Sequence, residues 1–228
     1  MKPQIIQQGA EAIIYFKEVD CQGTLVPYII KDRISKSYRH PQIDKKIIKS
    51  RTKSEAKLLN KANQLINAPQ AEIKDSNKIT MPFINGKKLS EHLEALDWKN
   101  ICKQIGNNIA KLHNNNIIHG DLTTSNMILT EKSKTLKNTK DITPTSKNNK
   151  NISNTNLYFI DFGLGFISHR AEDKAVDLHL IRQALEAKHF SIYKDAWKII
   201  IDNYKHPESK RVLEQLEKVE LRGRYKGH

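Results

Sequence analysis

The sequence predicts an α+β chain in two lobes, a small antiparallel sheet followed by a mainly helical half. Three observations predict it. Short apolar runs separated by turn residues occupy the first thirty positions, as a small sheet requires. Apolar residues then recur at three- and four-residue spacing over 44–66 and again over 98–113, the period of buried helices. Between Ile117 and Leu129 the chain reads IIHGDLTTSNMIL, a polar loop held at each end by apolar residues. With 228 residues, 38% of them hydrophobic, the chain can bury a core as one large domain or as a lobed pair.

The polar loop carries the chemistry. Asp121 and Asn126 are five positions apart after His119, the spacing of the protein-kinase catalytic loop H-R-D-x-x-x-x-N, with Gly120 where that pattern has Arg. In that pattern the Asp takes the proton of the attacking hydroxyl and the Asn holds magnesium. Downstream, LYFIDFGLGF ends an apolar strand in Asp161-Phe162-Gly163, the second metal-binding element in the expected order. Either element alone is a weak signal. Together they predict a reduced two-lobed protein-kinase-like fold, with an N-terminal lobe over 1–84 and a C-terminal lobe over 85–228.

In order along the chain, Ile5-Ile6, Ile13 to Phe16 and Leu25 to Lys31 read as three strands, with a turn over Val19 to Gly23. The G-x-G-x-x-G form is absent. Gly9 and Ala10 are the candidates for the turn over ATP phosphates, a plain tight hairpin being the alternative. Lys31 ends the third strand, where the kinase arrangement puts the lysine that contacts phosphates and pairs with a helical Glu. Glu55 lies on the inward stripe of the following helix, and a buried carboxylate there needs a cation. Lys31 is the candidate, Arg51 or Lys61 the alternatives. Residues 31–57 hold ten Lys/Arg against three Asp/Glu, which is either a solvated face or, at Tyr38-Arg39-His40-Pro41, a docking loop.

Met81-Pro82-Phe83-Ile84-Asn85-Gly86 fits a hinge between lobes, with Met81, Phe83 and Ile84 the candidates to meet adenine. A strand-to-loop junction fits it equally. Leu89 to Leu96 suggests a short helix, and Trp98 to His113 a buried one. Of the 26 residues 131–156, twenty are Asn, Lys, Ser or Thr, and such a segment cannot bury enough to order itself. It reads as a disordered insertion. After Gly163 an A-P-E motif is missing and the run to Glu172-Asp173 is short, which argues against a platform for protein substrates. Asp177 opens an apolar helix, where the helix macrodipole alone would favour a carboxylate. Two closing helices over 192–204 and 210–221 lead to a basic tail, Arg222, Arg224 and Lys226.

Formal net charge is +14, which favours anionic partners, nucleic acid foremost, or reflects a Lys-rich composition. The two cysteines, Cys21 and Cys102, form no C-x-x-C pair, so neither structural zinc nor an oxidising compartment is expected. The start of the chain lacks the apolar core of a signal peptide, and no window nears 18 consecutive apolar residues, so no membrane partner is expected.

Several segments together resemble the small atypical Ser/Thr kinase family of the KEOPS (EKC) complex, PRPK-like. They are QGAEA, IIKDR, KSYRHPQID, RTKSEAKLL, HGDLTTSN, IDFGLGF, EDKAVDLHLIRQALEAKH and LRGR, and they cover nearly the whole chain outside 131–156. The resemblance implies ATP and Mg²⁺ as cofactors, ATPase or Ser/Thr kinase activity, and Asp177 as a brace for the catalytic-loop backbone. It implies three partners: the transferase subunit of a complex that supports threonylcarbamoyladenosine formation on tRNA, a small subunit at the N-terminal lobe, and tRNA. Tyr38, Arg39, His40, Arg222 and Arg224 are the candidates for tRNA or partner contact. Cytoplasm and nucleus are the expected locations in a eukaryote. The rival expectations are a small-molecule kinase with an H-G-D loop and a non-catalytic tRNA-binding scaffold.

Overall fold

The computed structural model describes residues 3–131 and 155–224. Strands β1 (Gln4–Gln8), β2 (Ala12–Cys21) and β3 (Thr24–Arg33) form a meander. Helix α1 (Pro41–Asn63) follows, and then β4 (Glu72–Asp75) and β5 (Lys78–Pro82) complete an antiparallel sheet of order β1-β2-β3-β5-β4. The β2–β3 hairpin is longer than the turn expected over 19–23. Val19 pairs with Val26 and Cys21 with Thr24. Only Gln22 and Gly23 turn the chain, at φ +56° and +82°, the positive pair that a two-residue hairpin with right-handed twist demands.

Helix α1 starts at Pro41 rather than Asp44 and ends at Asn63 rather than Ile66. Proline suits the first helical position because its missing N–H would find no intrahelical partner there. The helix buries Glu55, Leu58, Leu59 and Ala62 against the sheet.

The second half begins with β6 (Lys87–Lys88) and a single turn, α2 (Leu89–His92). Helix α3 (Trp98–Asn114) is capped by Asp97, whose carboxylate accepts from the Asn100 N–H at 3.3 Å. Its stripe of Ile101, Ile105, Ile109 and Leu112 is at most 2% exposed, each side chain contributing about 1.5–3 kcal/mol of transfer free energy. Next come β7 (Ile117–Ile118), β8 (Met127–Glu131), β9 (Thr155–Phe159) and β10 (Phe166–Ile167). Strands β6, β8 and β9 form one small sheet, and β10 and β7 pair separately. Helices α4 (Ala171–Lys188), α5 (Tyr193–Asn203) and α6 (Ser209–Arg224) close the chain, α5 against α3 and α6 against α4.

Three further expectations change. The insertion is shorter than 131–156, since Glu131 pairs with Thr155 and Thr130 with Asn156. A backbone ladder continues under polar side chains as readily as under apolar ones. The rest of that segment lies outside the described residues. Asp177 does not open a helix: α4 begins at Ala171, so Asp177 sits in its second turn, 1% exposed, and the macrodipole does not account for it. The basic tail is helical as far as Arg224, and Lys226 lies outside the described residues.

Candidate active site

Strands β7 and β8 pin the loop from His119 to Asn126. His119 is fully buried, with its ring centroid 4.4 Å from that of Phe162. One ring nitrogen, Nε2, faces the Ile160 carbonyl at 3.1 Å. The other, Nδ1, accepts from the Asp121 N–H at 3.3 Å. Burial lowers the pKa of this imidazole despite the nearby carboxylates of Asp177 and Asp161, so it works as a neutral strut. Gly120 has φ +78°, and a Cβ there would lie 2.3 Å from the Leu164 carbonyl oxygen. An Arg, as in the common kinase pattern, cannot occupy this backbone.

The Asn126 Nδ2 donates to the Asp121 carboxylate and to its backbone carbonyl, both at 2.9 Å. Asp161 adopts φ +61°, an uncommon conformation for a residue with a side chain. One carboxylate oxygen accepts from Lys31 Nζ at 2.7 Å and from the Gly163 N–H at 3.1 Å. Burial alone would raise this carboxyl, but the Lys31 ammonium and these hydrogen bonds hold it below the ordinary Asp value.

Lys31 also reaches Glu55 at 2.7 Å. Burial would lower the lysine, yet Glu55 and Asp161 together raise it above its usual value. Glu55, 1% exposed, turns its second oxygen to Arg33 at 2.5 Å. Arg51 and Lys61, the alternatives for Glu55, do not bind it. Arg51 pairs instead with Glu11 at 2.7 Å, and Glu11 is 3.4 Å from Arg33. A cavity of about 300 Å³ opens over this set, lined by Gly9, Glu11, Lys31, Arg33, Asp121 and Asp161 among others.

Other candidates lie apart from it. The Ala10 carbonyl accepts from the Lys36 ammonium. Met81 lines a separate cavity with Tyr28 and Pro82. The Phe83 N–H is taken by the Pro27 carbonyl at 3.0 Å, and its ring packs edge-on against Phe16. Ile84 follows, half-buried. Tyr38 is 76% exposed with Arg39 over its ring, and Arg39 pairs with Asp44 at 3.2 Å. The carbonyl of His40 receives the first helical bond of α1, from the Asp44 N–H. Arg222 pairs with Glu172 at 2.7 Å. The Arg224 side chain lies outside the described residues.

Beneath the loop, the Asp177 carboxylate accepts from the N–H groups of His119 at 2.6 Å and Gly120 at 2.9 Å. Its Oδ2 is also 3.3 Å from His113 Nε2. His113 Nδ1 is 2.7 Å from the Tyr204 hydroxyl, which is 2.7 Å from His206 Nε2. His206 Nδ1 accepts from the Glu208 N–H at 3.4 Å. The donor and acceptor count closes with one proton on each ring. His206 donates to Tyr204, Tyr204 to His113, and His113 to Asp177.

Sequence reasoning named Lys31, Glu55 and Asp177 but missed the residues that extend from them, Arg33 and Glu11 on one side and His113, Tyr204 and His206 on the other. Arg33 had a signal, since it lies two residues beyond Lys31 and therefore on the same face of β3. Glu11 and Arg51 are 40 residues apart, and His113 and Tyr204 are 91 apart, with no local pattern joining them.

A RIO domain family model matches residues 14–151. The KEOPS complex subunit Bud32 of Pyrococcus abyssi is 36% identical, over 98% of this chain and 96% of that protein. A probable bifunctional tRNA threonylcarbamoyladenosine biosynthesis protein of Methanococcus vannielii is 36% identical over 97% of this chain, which spans 36% of that longer protein. In fold, the chain is similar to the Rio2 kinase of Chaetomium thermophilum, solved as an ADP/Mg²⁺-phosphoaspartate complex. The TM-score is 0.56 at 16% identity, covering 99% of this chain and 71% of that one.

Proposed function

Because the chain belongs to the RIO-domain family, in the branch of the KEOPS subunit Bud32, we propose that it is an Mg-ATP-dependent atypical kinase and ATPase. In this reading it serves as a subunit of a KEOPS complex that supports threonylcarbamoyladenosine formation on tRNA. One observation carries the catalytic part. Lys31 bridges Glu55 and Asp161 at 2.7 Å each, in a cavity that Asp121 also lines.

In this reading Lys31 binds the α- and β-phosphates and Glu55 orients it. Asp161 and Asn126 suit Mg²⁺, because a carboxylate and an amide oxygen are the hard oxygen donors that this ion takes. An ion held by these two residues would share its shell with water and phosphate rather than sit in a closed protein cage. When bound, the ion neutralises charge on the phosphates. Asp121 receives the proton of the attacking oxygen, from water or from a Ser/Thr hydroxyl, as that oxygen bonds to the γ-phosphorus and ADP leaves. Asn126 holds the Asp121 carboxylate toward that proton, and the remainder is positioning and charge complementarity.

The segment after Gly163 favours ATP hydrolysis or autophosphorylation over general protein phosphorylation. It is sewn to the loop by β10, with Phe166 opposite Ile118, and by the Ser168 N–H to the Asn116 carbonyl at 2.9 Å. It reaches α4 at Ala171 without a peptide platform. We assign base contacts to Met81, Phe83 and Ile84, and the phosphate turn to Gly9 and Ala10. Tyr38, Arg39, His40, Arg222 and Arg224 are assigned to partners, the transferase subunit, the small N-lobe subunit and tRNA. The lobe boundary is set at 84/85.

The Asp161→Ala variant tests the site. It is expected to lose ATP turnover while keeping its circular dichroism spectrum, and unchanged turnover would remove the assignment. Turnover measured with and without the transferase subunit and tRNA tests the setting. Activity that appears only with a small alcohol as acceptor would overturn it.

A further inference from the structure

We propose that Glu11 is a positioning residue that clamps the turn over the nucleotide phosphates to helix α1 through Arg51, with Arg33 as a second, longer anchor. The proposal rests on the nucleotide reading of the cavity and names a device within it. The turn from Gly9 to Glu11 contains a single glycine and no G-x-G-x-x-G, so backbone amides on a glycine-rich arc are not its means of holding shape.

It is tied down instead. The Gly9 N–H donates to the Ala12 carbonyl at 3.0 Å, and the Ile34 N–H to the Glu11 carbonyl at 3.1 Å. The Lys36 ammonium holds the Ala10 carbonyl. These bonds fix the base of the turn to β2 and to the chain leaving β3. The Glu11 side chain, through Arg51, ties the turn to α1, the helix that carries Glu55.

A carboxylate on the wall of a phosphate cavity is electrostatically unfavourable unless it is neutralised. Here Arg51 lies at 2.7 Å and Arg33 at 3.4 Å, and the hydrogen bond from Arg51 is the main reason the Glu11 carboxyl titrates below its ordinary value. Arg33 itself is buried between Glu11 and Glu55 at 3% side-chain exposure, with its Nε unpartnered among the described residues. The guanidinium of Arg33 therefore joins the carboxylate of the turn to the carboxylate that orients Lys31. The turn, α1 and Lys31 are thus linked through one alternating row of charges, Arg51, Glu11, Arg33, Glu55, Lys31. Neutralising Glu11 frees the turn from α1 without touching Lys31, Asp121, Asn126 or Asp161.

The test is binding of Mg²⁺ with the non-hydrolysable analogue AMP-PNP to the full chain and to Glu11→Gln, Arg51→Gln and the double variant, alongside ATP turnover. Both side chains are about half exposed (47% and 40%), so each single variant is expected to keep its melting temperature. Each should raise the analogue Kd and the ATP KM about threefold, with kcat within about twofold of wild type. The double variant should be no weaker than either single one, since both cut the same tie. The ratio of variant to wild-type Kd should fall towards one as KCl screens the pair. Unchanged Kd, additive losses, or a fall in kcat at constant KM would overturn the clamp. Absence of analogue binding by the wild type would overturn the nucleotide reading and the clamp with it.

Discussion

Two networks flank the loop from His119 to Asn126, and they are built from opposite chemistry. From the N-terminal lobe comes a row of ions. Arg51, Glu11, Arg33, Glu55, Lys31 and Asp161 alternate in sign, and both ends are open to water, with Arg51 40% and Asp161 47% exposed. From the C-terminal lobe comes a line of hydrogen bonds, His206 to Tyr204 to His113 to Asp177, with Tyr204, His113 and Asp177 no more than 1% exposed. Ions can exchange partners when an anion arrives, because Lys31 loses little by trading Asp161 for a phosphate. The hydrogen-bonded line has no spare donor to trade. The first network is suited to responding to a ligand and the second to holding the loop still.

Removing Asp177 strikes the rigid side hardest. Asp177→Ala leaves the N–H groups of His119 and Gly120 and one His113 nitrogen buried without an acceptor, and should cost about 3–5 kcal/mol in urea denaturation. On the responsive side, Lys31→Met should reduce ATP turnover by about 10²–10³-fold. Arg33 remains to neutralise Glu55, so denaturation midpoints should move much less than for Asp177→Ala. If the two variants lose stability equally, the division of labour between the networks is wrong. Tyr204→Phe cuts the line in its middle and should cost about 1–2 kcal/mol of stability, with a fall in kcat rather than a rise in KM as the loop loosens.

The smallest effect is a difference in acid sensitivity. Burial, with the nearby Lys174 ammonium, pushes His206 down to about 4. The folded state therefore binds fewer protons than the unfolded one, and this stabilisation, full above about pH 6.5, drains away as pH falls towards 4. Asp161 is also held below its ordinary value, but its contribution is complete above about pH 4 and is lost only as pH falls further. Lys31, held above its ordinary value, keeps its contribution below about pH 10.4 and loses it as pH rises through the folded value. Melting temperature followed from pH 7 to 5 should thus fall less steeply for His206→Gln than for wild type, and with the same slope for Glu11→Gln, whose carboxyl is held below its ordinary value and titrates only at lower pH.

How far the sequence could be read follows from the range of each contact. The strands, α1, α3 and the loop announce themselves through short periodic patterns, and Asp121, Asn126 and Asp161 through fixed local spacing. Lys31 and Glu55, 24 residues apart, could be paired because a carboxylate on an inward helical stripe needs a cation and a strand end offered one. Nothing comparable announces Glu11, since a polar residue in a turn needs no explanation. Tyr204 at the end of α5 looks like any aromatic core residue, and its role depends on a hydroxyl meeting a ring 91 positions away. Boundaries failed where backbone rules overrode side-chain pattern, at Pro41, at Cys21 and along the β8–β9 ladder.

Gly120 couples two segments that are far apart in the chain. Its missing side chain leaves the space where the Leu164 carbonyl meets the loop, 2.3 Å from where a Cβ would sit. The residue before Asp121 is therefore fitted to the residue three places after Asp161. A single codon change from Gly120 to Arg would push these segments apart rather than convert this loop into the common H-R-D form. In this chain an H-R-D loop would therefore require both segments to be reshaped together.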